Sequence, residues 1–373
     1  MSVPIAKPVA FEVNACPLWL RRLGHRLGQS DFRRWSRGVP EPILVVEGVT
    51  KSYGSDDALL AFGKRKPVSR PALINASLSL MPGETLGIVG ESGSGKSTLA
   101  RNLALLERPD AGKVIFKGED LTKLPESALR SRRRRIQIIY QDPYVSLNPR
   151  MRVGDAIGEV LHVHRLVPRD RITARVRQLI DQVGLPATAA GRYPAEFSGG
   201  QRQRICFARA LAAEPDVLIA DEPVSALDVS IQAQIVNLLM DLRDQLYIAV
   251  IFIGHDLELV DFVAPRIAVM LGGMIVEMLP RQTSLDMAKH PYTRALLAAV
   301  PSLQARPSVA GEPIAELAGG FPLSGCPFWD RCPYRHDPRC EKETPPLVDV
   351  GGGHLLASFY VHSGMAGASA LHT

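Results

Sequence analysis

Hydrophobic positions along the chain follow two periods, and the switches between them sort the sequence into elements. Ile43 to Val49 runs as a strand that Tyr53 closes. Gly54 to Pro71 is polar and basic, broken by Gly, Pro and Ser, and reads as a loop. Leu73 to Leu80 alternates with period two, and Met81-Pro82-Gly83 then turns the chain into the short apolar run Leu86 to Val89. Leu99 to Leu106 follows a helical period. Lys113 to Lys117 and Arg135 to Tyr140 are further strands. Between Pro143 and Phe197 the period lengthens: Gly154 to His164 and Asp170 to Val183 predict helices, the second stopped by Gly184, as a helical insertion in an α/β core. Val217 to Asp221 is a buried strand, Ile231 to Leu246 a helix and Tyr247 to Ile253 another buried strand. Arg266 to Leu271 and Met274 to Met278 form a hairpin around Gly272-Gly273, and Met287 to Val300 is an apolar helix. The tail after Pro301 is rich in Pro and Gly, without a long periodic segment.

Composition adds bounds to this pattern. The 373 residues, 46% of them hydrophobic, suffice for a full core in two or three units. No run approaches the ~18 apolar residues of a membrane span, and Met1 to Ala10 lacks the apolar stretch of a secretory signal, so the expected compartment is the cytoplasm. The net charge of +6 is compatible with nucleic acid or anionic lipid. Much of it comes from Arg130, Arg132, Arg133, Arg134 and Arg135, read as a solvated helix end leading into a strand. Residues 1–41 form a basic N-terminal extension. Within it Leu20, Leu23 and Leu27 share a helical face, with Arg21, Arg22 and Arg26 elsewhere; a surface helix or a disordered arm is the expectation, ahead of a helix lying on a membrane.

The chemistry begins at Gly90-Glu91-Ser92-Gly93-Ser94-Gly95-Lys96-Ser97-Thr98, set between an apolar strand and a helix. Strand, glycine-rich loop and helix are the context of a phosphate-binding P-loop. Gly93 and Gly95 let successive N–H groups turn toward one phosphate, and the helix dipole adds to the attraction. Lys96 neutralises the β/γ-phosphates and the Ser97 hydroxyl can ligate Mg²⁺. Gln141 is delivered at the C-terminal end of a buried strand, where ligand groups collect in α/β sheets. Ser198-Gly199-Gly200-Gln201 has an N-cap serine and exposed backbone N–H groups, a second anion site. Val217 to Glu222 ends in two carboxylates, Asp221 and Glu222: one acid can hold Mg²⁺, directly or through water, and the other can orient or deprotonate an attacking water. Ser225 to Asp228 makes a polar turn, and His255, just beyond a strand at the same sheet edge, is a candidate γ-phosphate sensor.

In this order, the motifs resemble the nucleotide-binding domain of ABC ATPases. Gly90 to Thr98 is similar to its Walker A, Gln141 to its Q-loop, Phe197 to Arg202 to its signature, Val217 to Glu222 to Walker B, Ser225 to Asp228 to the D-loop and His255 to the switch histidine; Tyr53 is similar to the adenine-stacking aromatic. Tyr140 to Met151, His290-Pro-Tyr-Thr-Arg-Ala-Leu-Leu297 and Gly325-Cys-Pro-Phe-Trp-Asp-Arg-Cys-Pro333 resemble the oligopeptide/dipeptide and nickel importer ATPases, the F-type subunit above all. The resemblance covers roughly residues 43 to 350. It implies a P-loop (RecA-like) α/β core with an N-terminal antiparallel β subdomain, a helical signature subdomain at about 143–210 and an irregular Cys-containing tail. The implied division is an extension at 1–41, the nucleotide-binding domain at 42–286 and a peptide-importer-type region at 287–373.

The resemblance also implies a mechanism. Two such domains sandwich two ATPs head to tail, so that the P-loop of one and Ser198, Gly199 and Gly200 of the other grip one nucleotide, with Gln201 and Asp228 beside it. Glu222, His255 and Gln141 would serve hydrolysis, and Ser97, Gln141 and Asp221 would hold Mg²⁺. The implied partners are two membrane-spanning permeases, a second ATPase identical or homologous to this one, and a solute-binding protein, with no nucleic acid. The implied place is the cytoplasmic face of the inner membrane. Peptide uptake is the leading reading; import of nickel or another small solute, and an ABC protein acting on DNA or ribosomes, are the alternatives.

The sequence holds five cysteines, and in a reducing compartment they do not suggest a disulfide framework. Cys326, Cys332 and Cys340 are spaced like metal ligands. By the same resemblance, a tail of this type can carry a [4Fe–4S] cluster, yet Ser358 stands where the fourth cysteine is expected. A cluster completed by another ligand such as His354, a zinc ion, and free or structural thiols all remain open.

Overall fold

The structure, a computed structural model, describes residues 41–54, 70–225, 227–280, 285–299, 325–334 and 337–359. The amphipathic pattern at Leu20 to Leu27 and nearly all of the basic Gly54 to Pro71 stretch lie outside them. From Ile43 onward the chain belongs to one unit.

The unit opens with β1 (Leu44–Tyr53) and β2 (Arg70–Leu80), which pair antiparallel. β3 (Thr85–Val89) leads into α1 (Lys96–Leu103). β4 (Ala111–Phe116) and β5 (Glu119–Asp120) return to the first sheet, whose order is β2-β1-β4-β5. This is the expected antiparallel subdomain. α2 (Glu126–Arg133) and β6 (Ile136–Ile139) follow, and then a helical layer of α3 (Pro143–Ser146), α4 (Val153–Val163), α5 (Ile172–Gln182) and α6 (Gly199–Ala212). The chain re-enters the main sheet through β7 (Val217–Asp221), α7 (Val229–Leu246), β8 (Ala249–Gly254), α8 (Leu257–Val263), β9 (Arg266–Leu271) and β10 (Met274–Leu279). The end holds α9 (Pro291–Ala299), α10 (Arg339–Lys342), β11 (Val348–Asp349) and β12 (Leu355–Leu356).

The second sheet has the order β11-β12-β10-β9-β3-β8-β7-β6. β9, β3, β8, β7 and β6 run parallel, and β9 and β10 make the expected hairpin. Both faces of the sheet's central part are covered, so its strands there are largely apolar. Val217 and Ile219 of β7, with Ile251 and Ile253 of β8, face one core together with α1 and the antiparallel subdomain. Leu218 and Ala220, with Val250 and Phe252, face the other, shared with the helical layer and α7. That division is the period of two in the strand geometry.

Several expectations shift. The strand expected from Tyr247 starts at Ala249: Tyr247 instead ends α7 in the left-handed conformation, φ 55°, with its ring against Gly83. The helix expected from Met287 starts at Pro291, after a 3₁₀ turn at Leu285–Met287. Proline lacks the N–H that a helix interior needs and fits its first turn. The helix expected from Asp170 begins as a 3₁₀ turn, Arg169–Arg171, and Arg70 and Pro71 belong to β2 rather than to the loop before it. The arginine run ends α2 and leads into β6, with Arg130 exposed and Arg132 to Arg135 partly exposed, and most of its charges are paired. Arg132 pairs with Glu119, Arg133 with Glu126, and Arg135 with Asp216, while Arg134 donates to the carbonyl of Ala213. The tail, aperiodic in sequence, adds β12 to the sheet beside β10. Among the described residues no helix is long and apolar enough to cross a membrane.

Candidate functional site

Four adjacent parallel strands bring the sequence-predicted groups to one edge. β3 ends in the P-loop, β8 in Gly254 and His255, β7 in Asp221 and Glu222, and β6 two residues before Gln141. Insertion of β8 between the P-loop strand and the acidic strand sets the two apart by one strand and places His255 between them. A loop beyond the carboxyl ends of parallel strands is where α/β sheets bind ligands.

The loop itself is held open by its glycines. Gly95 has φ 101°, and a Cβ there would lie 2.5 Å from the carbonyl oxygen of Ala72; Gly93 has φ 76°. Other residues could not follow this path without strain. Lys96 is buried, and its Nζ donates to the carbonyls of Gly90 at 2.7 Å and Glu91 at 2.9 Å. Burial lowers its pKa, opposed by the carboxylates of Glu222, Asp221 and Glu91. The lysine charge is therefore enclosed with three carboxylates around a loop of N–H donors.

Asp221 is 7% exposed, and its Oδ1 has no hydrogen-bond partner among the described residues. Burial raises its pKa, while a hydrogen bond to Ser97 lowers it and the charge of Glu222 raises it again. An orphaned carboxylate oxygen is costly in a fold. Beside a serine hydroxyl, it fits a hard cation with oxygen ligands. Among the described residues no cluster of three His, Cys, Asp or Glu could hold a metal. Mg²⁺ on a P-loop does not need one, since phosphate and water oxygens complete its shell.

Glu222 follows β7 in the left-handed conformation, φ 48°, and its N–H donates to the carbonyl of Ile253. A non-glycine residue held there costs energy that its surroundings must supply. The twist separates the paths of the two carboxylates. Asp221 stays in the sheet edge near Ser97, whereas Glu222 Oε2 lies 3.5 Å from Nδ1 of His255. The two line one pocket with Ser225 and Gln232. Tyr53 is 39% exposed at the end of β1, with its phenol on Glu107 and a further bond to Thr98 at the start of α1. Its ring thus stands beside the P-loop helix.

The structure does not bring the signature to this edge. Ser198 caps α6, accepting from Gln201 N, while its own N–H donates to Gln201 Oε1 at 3.1 Å, a reciprocal capping box. Asp228, exposed, stands at the N-cap position of α7 without a side-chain capping bond. Gln141 is exposed and precedes α3, whose Tyr144 and Val145 are 57% and 76% exposed. Arg202 of the signature helix lies over the Tyr144 ring at 4.2 Å, and Arg209 of the same helix donates to the carbonyl of Ser146.

Sequence reasoning missed a set of contacts from the tail. Tyr292, in the His290-Pro-Tyr-Thr stretch, is fully buried, and its Oη accepts from Glu91 N at 2.9 Å. Arg331 Nη1 lies 2.9 Å from Glu91 Oε1. Glu277, fully buried in β10, accepts from Lys289 N and pairs with His354 Nε2 at 2.7 Å. The unusual polar residues inside apolar runs, Glu277 above all, were the available signal.

Cys326, Cys332, Cys340 and Ser358 line one small cavity with His290 and Phe328. Burial pushes the Cys326 thiol up to about 11 and raises that of Cys340. Among the described residues the thiols do not gather into a group placed to hold a metal, and His354, the alternative ligand, pairs instead with Glu277. These residues do not fit that cluster.

Comparison with known proteins agrees with this geometry. The ABC transporter family model matches residues 73–225, and that of the oligopeptide/dipeptide transporter C-terminal region matches 276–340. A probable peptide ABC transporter ATP-binding protein of Sinorhizobium fredii is 46% identical over 323 residues, 86% of this chain and 90% of its own. The oligopeptide transport ATP-binding protein AppF of Bacillus subtilis is 43% identical over 323 residues, 85% of this chain and 97% of its own. Among solved structures, the dimeric ATP-binding cassette MJ0796 bound to ADP and Pi is similar, with TM-score 0.56 and 27% identity over 64% of this chain and 99% of that one. Sheet order, P-loop and paired carboxylates on one side, and the shared C-terminal region on the other, place the chain in the ABC transporter ATPase family, among the ATP-binding subunits of oligopeptide/dipeptide transporters.

Proposed function

We propose that this chain hydrolyses ATP to power peptide uptake through separate permease subunits, working at the cytoplasmic face of the membrane. The observation that carries the reading is the placement of Lys96, Asp221, Glu222 and His255 at the ends of three neighbouring strands. The names of the relatives, peptide and oligopeptide transport proteins, support the choice of cargo.

In this reading the backbone N–H groups of Gly93 to Ser97 and the ammonium of Lys96 bind the β- and γ-phosphates. Tyr53 stacks on the adenine. Ser97 and Asp221, with Gln141, hold Mg²⁺, which supplies charge neutralisation on the phosphates. Glu222 accepts a proton from the attacking water, and His255 holds the water or γ-phosphate in line. The capped N-terminus of α6, with Ser198 exposed and Gly199 partly so, would meet the nucleotide of a second ATPase. That explains two anion sites in one chain that do not face each other. The exposed ring and side chain of Tyr144 and Val145, joined to the signature helix by Arg202 and Arg209, form the surface on which a permease helix would dock. The division at residues 42 and 287 belongs to the same reading. The thiols of the tail are structural in it, and no step passes through them.

Glu222→Gln tests the chemistry. Hydrolysis is expected to fall at least ~100-fold while ATP still binds. Turnover at the wild-type rate would remove Glu222 from the role of base.

A further inference from the structure

The C-terminal region holds Glu91 of the P-loop from two sides. Glu91, the second residue of the loop, gives its backbone N–H to the phenol oxygen of Tyr292 and its carboxylate to the guanidinium of Arg331, each at 2.9 Å. Neither partner is loosely held. Tyr292 is fully buried, and its ring lies 5.5 Å from that of Phe328. The Arg331 side chain is 11% exposed, with its guanidinium 5.3 Å from the Phe328 ring and 6.0 Å from that of Tyr292. These residues are 201 and 240 positions away from Glu91 in sequence.

The consequence runs through Lys96. Its ammonium rests on the carbonyl oxygens of Gly90 and Glu91, so the position of Glu91 sets where that ammonium stands. The carboxylate of Glu91 also acts on Lys96 electrostatically. A carboxylate on a loop that must receive a polyanion works against binding unless a cation offsets it. Arg331 supplies that cation in a fixed, stacked geometry, the kind that lysine does not reproduce.

The structure assigns Arg331 and Tyr292 as positioning residues of the ATP site, through which the C-terminal region sets nucleotide affinity. Arg331 neutralises Glu91, and Tyr292 holds the Glu91 backbone. Neither touches the reacting atoms. The inference rests on the P-loop being the ATP site, as proposed above.

The test is steady-state ATP hydrolysis by the full-length chain assembled with the second ATPase and the permeases, since the site is completed by a second ATPase. Wild type is measured first: absence of any ATPase activity would overturn the reading of the site itself, separately from this inference. Arg331→Met keeps the apolar stem on Phe328 and removes the charge. It is expected to raise KM for ATP about tenfold with kcat within about twofold. Adding Glu91→Gln removes the charge left uncompensated and is expected to bring KM back to within about threefold of wild type. Tyr292→Phe removes only the acceptor of the Glu91 N–H; its smaller rise in KM is expected to persist when Glu91→Gln is added, because the backbone bond does not depend on the carboxylate. Arg331→Lys, which keeps the charge, is expected to fall between wild type and Arg331→Met. An unchanged KM in Arg331→Met, a loss confined to kcat, or a raised KM that Glu91→Gln does not rescue would overturn the assignment.

Discussion

At the scale of single residues, the site depends on side chains and backbones placed where they are costly. Glu222 is held at φ 48°, and Asp221 keeps a buried oxygen without a partner among the described residues. Both departures lie at the end of one five-residue strand, β7, whose other residues are apolar and fully packed. The strand anchors the strain, and the strain separates a metal-facing carboxylate from a water-facing one. Gly87 shows the same economy of space in the P-loop strand. A Cβ there would meet Val260 Cγ1, in α8, at 2.3 Å and Ala264 Cβ, just past the end of that helix, at 3.0 Å. Gly87→Val is expected to force α8 away and cost about 1–3 kcal/mol. Differential scanning calorimetry would show it as a drop in Tm of several degrees; an unchanged Tm would mean that α8 is free to shift.

At the scale of elements, most of the architecture was legible from the sequence, and the failures have physical causes. β7, β8, β9 and β10 are short, apolar and buried on both faces, so hydrophobic runs found them. The P-loop was legible because its glycines, lysine and flanking elements must occur together for the chemistry to work. Tyr247 misled because an aromatic residue before an apolar run looks like a strand start, whereas its left-handed backbone and contact with Gly83 are tertiary facts. Met287 misled because the helical period extends across Pro291, which starts the helix. The place of the arginine run, at a helix end before a strand, was legible; its acceptors, Glu119, Glu126, Asp216 and two backbone carbonyls, were not, because they are supplied largely by other elements. Of the site, Lys96, Ser97, Asp221, Glu222 and His255 were each marked by motif. The contacts of Glu91 with Tyr292 and Arg331 were not, because nothing local relates residues so far apart in sequence.

At the scale of the whole molecule, the tail is fastened to the sheet by buried polar groups, and that attachment should be sensitive to acid. Burial lowers the His290 imidazole from 6.5 to about 4, with Glu277 opposing the shift. The folded chain thus keeps His290 neutral where the unfolded chain protonates it, and the unfolded state binds more protons across that window. Stability is full above pH 6.5 and falls as the pH drops toward 4, by about 3 kcal/mol at most. Glu277 adds to this below the ordinary carboxylate value of 4.5: burial alone would raise its pKa, but bonds from His354 and the Lys289 N–H hold it lower. Its contribution is present above that value and lost as the pH falls through the folded one. Thermal unfolding between about pH 8 and pH 4.5 checks this. A Tm that declines below 6.5 agrees, and a flat Tm across the range contradicts it.

The central claim is that this molecule is one of two ATPases acting on membrane permeases, with the exposed Tyr144–Val145 surface as the point of contact. The most direct measurement is affinity purification of the tagged full-length chain from gently solubilised membranes of its native cell, followed by identification of what accompanies it. The account predicts two multi-span permeases and a second ABC ATPase, all lost or reduced when Tyr144 and Val145 are replaced by aspartate. Recovery of ribosomal or DNA-repair proteins, with no permease, would contradict the transport role while leaving the ATPase chemistry of the site in place.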